Sequence, residues 1–377
     1  MAGQSADSAI LEPTVPPSAT LPWPLSFPFA KLCVLRAMYF NRLAHTAYLS
    51  RLGSRTSLRM ASTILGASGR EYIQGEVLQR DPKDNKPRIF KAGCGNESFV
   101  FKHVSQPFYD LSQRLALEFA GSSRLRMHVD ANQDERILVY PYFRNTLLAL
   151  IKEDPDFPPA ERVKVLRVVA EAIQELHSKD WIHNDVKPDN ILVDWACDED
   201  GNKTVTKAAL GDFDIALKLE GAKPLYGPHA VGNAMWRSPE AQTGRGVTKA
   251  SDVFSFGLVC IYALGGGDFL LLHNYAELVE RGISPEQEIL TRHFAYFGPV
   301  TEGLLNQIDS EVWSRALKAA SRTGQLAVED NPLLRFERWG EGLGPAAVDV
   351  ISGMTRLDPA ARMTMEQVLE HPWWTEE

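Results

Sequence analysis

Three things are scarce in this chain of 377 residues: paired cysteines, positive charge, and long apolar runs. The four cysteines, Cys33, Cys94, Cys197 and Cys260, stand far apart, with no CxxC pair and no His at zinc-ligand spacing. That excludes a disulfide framework and a classical zinc site, and it fits a reducing compartment. The formal net charge is -8, so bulk attraction to nucleic acid is not expected. The longest mainly apolar run, Val253 to Gly267, is shorter than a bilayer span and reads as a buried helix. The remaining composition, 44% hydrophobic and 23% charged, is that of a globular protein with room for two core-bearing lobes.

A local absence marks the N-terminus. Between Pro13 and Arg70 there is no acidic residue, but there are seven Lys and Arg. The stretch is Pro-rich at first ("PTVPPSATLPWPLSFPFA") and then rich in Arg, Ser and Leu ("FNRLAHTAYLSRLGSRTSLRM"). Residues 1–70 are therefore expected to be a disordered tail, with a resemblance to a mitochondrial transit segment. A cytoplasmic or nuclear location is the default expectation and a mitochondrial one the alternative.

Ordered structure is expected from Glu71. "EYIQGEVLQ", "RIFKA" and "SFVFKHV" read as strands of a small antiparallel sheet, with "DPKDNKP" as a loop and "GCGNE" as a turn. Leu111, Leu115 and Phe119 give helical spacing to residues 107–125, and "ERILVYPYF" reads as a further strand ending at a Pro-containing joint. Beyond Phe143 the chain turns mainly helical. Val165, Val169, Ile173 and Leu176 mark one helix face, with Pro158 and Pro159 at its start.

The chemistry concentrates in "WIHNDVKPDNILVDW", Trp181–Trp195. Asp185 and Asn190 are five residues apart, with Lys187 between them, just before the strand-like "ILV". Asp212 follows in "LGDFDIA", after a second strand-like run, "TVTKAAL". A hairpin through the polar turn "DWACDEDGNKT" would bring Asn190 and Asp212 together. An amide oxygen and a carboxylate so placed are hard donors suited to magnesium. Asp185 is then free to accept a hydroxyl proton, and Lys187 to neutralise charge on a transferring group. The acidic run "CDEDGN" lacks calcium-loop ligands at its ends and reads as a solvated turn.

These motifs resemble those of eukaryotic-type protein kinases. "HNDVKPDN" is similar to the catalytic loop, "DFD" to the metal-binding motif, and "WRSPE" to the end of the activation segment. "SDVFSFG" is similar to the central buried helix and "RLDPAARMTMEQVLEHPWW" to the closing segment. The resemblance covers residues 71–377. It implies an α+β, two-lobed fold: a small antiparallel β-sheet lobe with one main helix (71–143) and a larger, mainly helical lobe (144–377). It also implies ATP and Mg2+ as cofactors and protein Ser/Thr hydroxyls as acceptors; the acidic charge balance leads to the expectation of no nucleic-acid partner, and the oligomeric state is left open. By position, Asp185 resembles the catalytic base and Lys187 the residue that meets the transferred phosphoryl group. Asn190 and Asp212 resemble the metal ligands. Lys102 in "FVFK" resembles the strand lysine that grips nucleotide phosphates, and Glu118 its helix partner. Glu240 and Arg362 resemble the pair that ties the activation segment to the late helices, and Asp252 the residue that holds the catalytic-loop amides.

Four departures carry expectations. Asn184 stands where regulated kinases carry an Arg that pairs with an activation-segment phosphate, and residues 212–237 contain no Ser or Thr. Activity independent of Ser/Thr phosphorylation there is expected. Asp214 replaces a glycine of the metal motif, which restricts the backbone. The phosphate-covering loop is degenerate: "QRDPKDNKP" has no glycine, while Gly93 and Gly95 in "GCGNES" lie too close to Lys102. Either the hairpin is shortened or Lys102 is not the strand lysine. Finally, residues 270–345 are long for the late helical region and are expected to add a docking surface. A non-catalytic scaffold that keeps the fold remains the rival reading.

Overall fold

The computed structural model describes residues 62–81 and 84–375. Residues 1–61 of the expected tail, with the expected targeting signal, lie outside the described residues; residues 62–70, expected to belong to the same disordered tail, are described and carry a strand, which corrects that boundary.

The first lobe is an antiparallel sheet in the order β1-β2-β3-β4-β6-β5. Its strands are β1 (Thr63–Leu65), β2 (Glu71–Arg80), β3 (Pro87–Cys94), β4 (Glu97–His103), β5 (Asp130–Asn132) and β6 (Ile137–Pro141). β1 lies before Glu71, so the sheet begins earlier than the sequence reading placed it. Ile64 is buried beside Tyr72, Phe99 and Phe101, and three residues of backbone pairing with β2 fix it. One buried side chain in a polar stretch gives no periodic signal. The helix α1 (Gln106–Glu118) packs beside the sheet and stops well short of Leu125. Gly121, at φ 86°, turns the chain there.

The strand expectations hold in register. Phe90, Ala92, Phe99 and Phe101 alternate inward and are buried, as a two-residue period requires. Cys94 pairs with Glu97 across the two-residue turn Gly95-Asn96, with Gly95 at φ 58°. This is an ordinary tight hairpin.

The second lobe begins with β7 (Asn145–Thr146) and α2 (Leu147–Glu153). Its core helix α3 (Pro159–Ser178) fully buries Val165, Val169, Ile173 and Leu176. After β8 (Trp181–Ile182) come β9 (Ile191–Cys197) and β10 (Lys203–Leu210), which pair antiparallel from Lys203↔Cys197 to Leu210↔Ile191. The expected hairpin therefore exists. β11 (Leu217–Lys218) pairs back onto β8. The helices α4 (Pro239–Thr243) and α5 (Lys249–Ile261) follow. Every α5 residue from Ser251 to Ile261 is buried. The helical run continues to Leu270. At 22 residues it is long and apolar enough to cross a membrane, a correction to the shorter apolar run read from sequence, and it packs inside the lobe as its central helix. The long late region is itself helical, with Pro285–Phe297 and Glu311–Asp330 packed together.

Candidate active site

The site is assembled by the hairpin and by Asp252. Asp252, at the start of α5, accepts backbone N–H groups from His183 (Oδ2, 2.8 Å) and Asn184 (Oδ1, 2.9 Å). It also sits 3.1 Å from His177 Nε2. A buried carboxylate spent on these donors fixes the loop that carries Asp185. His183 itself is fully buried, with Nε2 3.0 Å from the Gly211 carbonyl, so it is a packed core group. Asn184 is in the left-handed region at φ 63°, which Asn tolerates better than Arg. Its Nδ2 donates to the Ile215 carbonyl at 3.1 Å. The residue that differs from the regulated pattern thus ties the loop to the chain after Asp214.

Asp185 is tightly held. Its Oδ1 accepts the Asn233 backbone N–H at 2.7 Å, and its Oδ2 accepts from Lys187 Nζ at 2.7 Å and Asn190 Nδ2 at 3.1 Å. Asn190 Nδ2 also donates to the Asp185 carbonyl at 2.8 Å, so the amide oxygen is turned to the other side. The Gly211 N–H donates to the Asn190 carbonyl at 2.8 Å, which sets Asp212 beside Asn190. Asp212 is at φ 64°, and its side chain is 42% exposed.

Lys102 projects from β4 across the cleft. Its Nζ lies 2.6 Å from Asp212 Oδ1 and 2.5 Å from Asp214 Oδ1. Burial alone would lower the lysine's pKa, but the two carboxylates outweigh it and raise it. Burial likewise opposes the Asp212 charge, and Lys102 overrides that and holds the carboxyl below its usual range. Asp214 fares differently: burial, then the neighbouring Asp212 charge, push it up to about 7. Two carboxylates sharing one cation divide in this way.

The site thus brings together Asp185, Lys187, Asn190, Asp212 and Lys102, but not Glu118. Glu118 closes α1 and pairs with Lys218 of β11 at 2.5 Å, while Asp214 takes the second place on Lys102. Glu118 is the last residue of its helix, and the chain turns away at Phe119. The alternative placing of a phosphate loop at Gly93 and Gly95 is also corrected, since both belong to the β3–β4 hairpin. The loop at the Lys102 end of the sheet is the one between β2 and β3, because Arg80 pairs with Pro87 and Ile89 with Lys102. It has no glycine. It closes on itself through Asp81 N to Lys86 O (2.7 Å) and Asn85 N to Asp81 O (2.8 Å), with Asn85 at φ 59°. Sequence reasoning missed Asp214 as a partner of Lys102, and missed Arg126, which donates to the Pro141 carbonyl at the lobe joint. In "RLRMHV" nothing marks Arg126 as inward-facing.

Among the described residues there is no group of three or more His, Cys, Asp or Glu placed to hold a metal ion. The donors present, one amide oxygen and one partly exposed carboxylate, fit magnesium. That ion keeps waters and shares substrate phosphates rather than filling an all-protein cage.

The activation segment is anchored at both ends. Gly232, at φ 83°, sits where a Cβ would lie 2.3 Å from the Asn184 carbonyl. Glu240 and Arg362 form a fully buried pair at 2.8 Å. Tyr226, the only hydroxyl side chain from residue 212 to residue 237, donates to the Gln307 carbonyl at 2.9 Å.

Comparison with known proteins gives the family. The family model "Protein kinase domain" matches residues 124–374, and the chain belongs to the protein kinase family. The match starts after β4 and α1, so Lys102 and Glu118 lie outside it. The chain is similar to the sensor for unfolded proteins in the ER ire1 of Schizosaccharomyces pombe, 25% identical over 75% of this chain and 25% of that protein. It is similar to the mitogen-activated protein kinase mpkA of Aspergillus fumigatus, 26% identical over 64% of this chain and 51% of that one. It is also similar to the mouse ribosomal protein S6 kinase alpha-6, 27% identical over 61% of this chain and 24% of that one. The chain thus spans between about a quarter and a half of these relatives' lengths. Among solved structures, the yeast RNA polymerase II CTD kinase CTDK-1 complex contains a chain with TM-score 0.59 and 14% identity. That match covers 88% of this chain and 97% of that one, a likeness of fold.

Proposed function

We propose that this chain is an ATP- and magnesium-dependent protein kinase that transfers the γ-phosphoryl group to Ser or Thr hydroxyls of protein substrates. The observation that carries the reading is Asp185. It is a carboxylate fixed by three donors beside Lys187, on the loop that also carries Asn190 and across the cleft from Lys102.

In this reading the acceptor oxygen attacks the γ-phosphorus, the bond to the β-phosphate bridging oxygen breaks, and ADP leaves with that electron pair. Asp185 takes the hydroxyl proton. Lys187 neutralises the moving phosphoryl group, and Lys102 holds the phosphates. Asn190 and Asp212 would hold the metal, which supplies charge neutralisation at the phosphates when bound. "KPDN" after Asp185 supports the Ser/Thr type. With Asn184 engaged to Ile215 and no Ser or Thr from 212 to 237, no phosphate switch is needed in that segment. Mass spectrometry of fully active protein should find it unphosphorylated; an obligatory phosphate there refutes this point.

The rival is a binding scaffold without turnover. The glycine-free loop between β2 and β3 favours it. Wild type and Asp185→Ala, assayed with γ-labelled ATP and a degenerate Ser/Thr peptide library, separate the two. A loss of about a hundredfold or more in the variant is expected; equal incorporation overturns the enzyme reading.

A further inference from the structure

The cleft between the lobes runs from Lys102, Asp212 and Asp214 inward to the chain crossing at Pro141–Phe143. Its inner end is filled. The Arg126 backbone N–H donates to the Leu210 carbonyl at 2.8 Å, which places this residue beside Gly211 and Asp212. Its stem runs over Gly211, where a Cβ would lie 3.5 Å from Arg126 Cβ and Cδ. The guanidinium reaches the joint. Nε and Nη2 donate to the Pro141 carbonyl at 2.9 and 2.6 Å, and the group lies 5.0 Å from the Tyr140 ring and 5.9 Å from that of Phe143.

Among the described residues no carboxylate forms an ion pair with Arg126. Burial pushes the guanidinium down to about 10. A half-buried cation held by one backbone carbonyl and two ring faces is poorly compensated, so a fold needing only a filler here would be served by an apolar side chain.

A nucleotide gripped by its phosphates at Lys102 has two directions for its base: outward into water, or inward along the cleft. Flat heteroaromatic groups bind between apolar walls that offer a few backbone hydrogen-bonding groups. Inward, those walls are Tyr140, Phe143 and the Gly211 backbone, and the polar group is the Pro141 carbonyl. Arg126 takes both the space and the carbonyl.

We propose that Arg126 blocks the base end of this cleft, so that nucleotide binds only when the guanidinium swings out, and that this residue sets nucleotide affinity. The proposal rests on the reading of the cleft as a nucleotide site.

The test compares wild type with Arg126→Met, which keeps the stem and loses the charge and fork, by calorimetric titration with magnesium-ATP. The variant is expected to bind at least about tenfold more tightly, because no charge-assisted bonds to the carbonyl must be broken first. Arg126→Lys, which keeps the charge without the fork, is expected to gain less. In wild-type protein the Arg126 Nε–H resonance, assigned by its loss in Arg126→Met, should shift when nucleotide is added. Equal or weaker binding by Arg126→Met beside measurable wild-type binding overturns the block and leaves the nucleotide reading standing. An unmoved Nε–H in nucleotide-saturated wild type does the same. No binding by either protein at millimolar nucleotide overturns both.

Discussion

Replacing Glu240 by Ala isolates the pair that anchors the activation segment. Both side chains, Glu240 and Arg362, are 0% exposed. Arg362 Nη1 donates to Glu240 Oε1 at 2.8 Å and Nη2 to Oε2 at 3.3 Å. Ser251 Oγ donates to Oε1 at 2.8 Å. Arg362 is further bound to the Ala250 and Arg356 carbonyls at 2.6 and 2.9 Å. Removing the carboxylate leaves a buried guanidinium with carbonyl partners only. The cost is roughly 3–5 kcal/mol, which for a domain of about 300 residues lowers the melting temperature by about 5–8 °C. The double variant Glu240→Ala/Arg362→Met removes both charges and should recover a large part of that loss relative to the two single variants, giving a coupling energy of at least about 1 kcal/mol. Urea unfolding followed by tryptophan fluorescence measures all four corners. The pH dependence has a defined sign. Burial opposes the Glu240 charge, but Arg362 outweighs it and lowers the carboxyl below 4.5. Its stabilisation is therefore present above pH 4.5 and lost as pH falls through the folded value. A loss under about 1 kcal/mol in Glu240→Ala, or a double variant no more stable than the sum of the singles, refutes the reasoning.

Three further outcomes are expected. Gly232→Ala meets both a φ of 83° and a carbonyl 2.3 Å from the new Cβ, so the segment must shift away from Asp185; phosphotransfer should fall more than about tenfold with little change in far-UV circular dichroism. His293 is buried and its pKa is pushed down to about 3, so it stays neutral in the fold while the unfolded chain protonates near 6.5. Stability should then fall as pH drops from 6.5 toward 3, at up to about 1.4 kcal/mol per pH unit from this residue, and that slope should be missing from His293→Phe in acid-unfolding curves. Glu118→Ala removes a pair to Lys218 rather than to Lys102; magnesium-ATP affinity by calorimetry should stay within about threefold, since such partly exposed pairs contribute little, and a loss beyond about tenfold would show that Glu118 reaches Lys102 in the working state.

The resemblance to protein kinases implied the contacts of Glu240, Arg362 and Asp252, and local chemistry in the sequence determined the hairpin that carries Asn190 and Asp212, the loop around Asp185 and the helix from Pro159. Each depends on short spacings or on residue types whose burial demands a specific partner. Tertiary structure alone decided the rest. Glu118 lost Lys102 because the end of a helix points where packing sends it, and spacing along the chain does not encode that direction. Asp214 gained Lys102 because a strand of one lobe and the turn that follows β10 in the other meet across a cleft. β1 joined the sheet through a single buried isoleucine, too little for any period to reveal. Arg126 turned inward because its backbone N–H is held by the Leu210 carbonyl, eighty-odd residues away in sequence, a contact that no local pattern encodes.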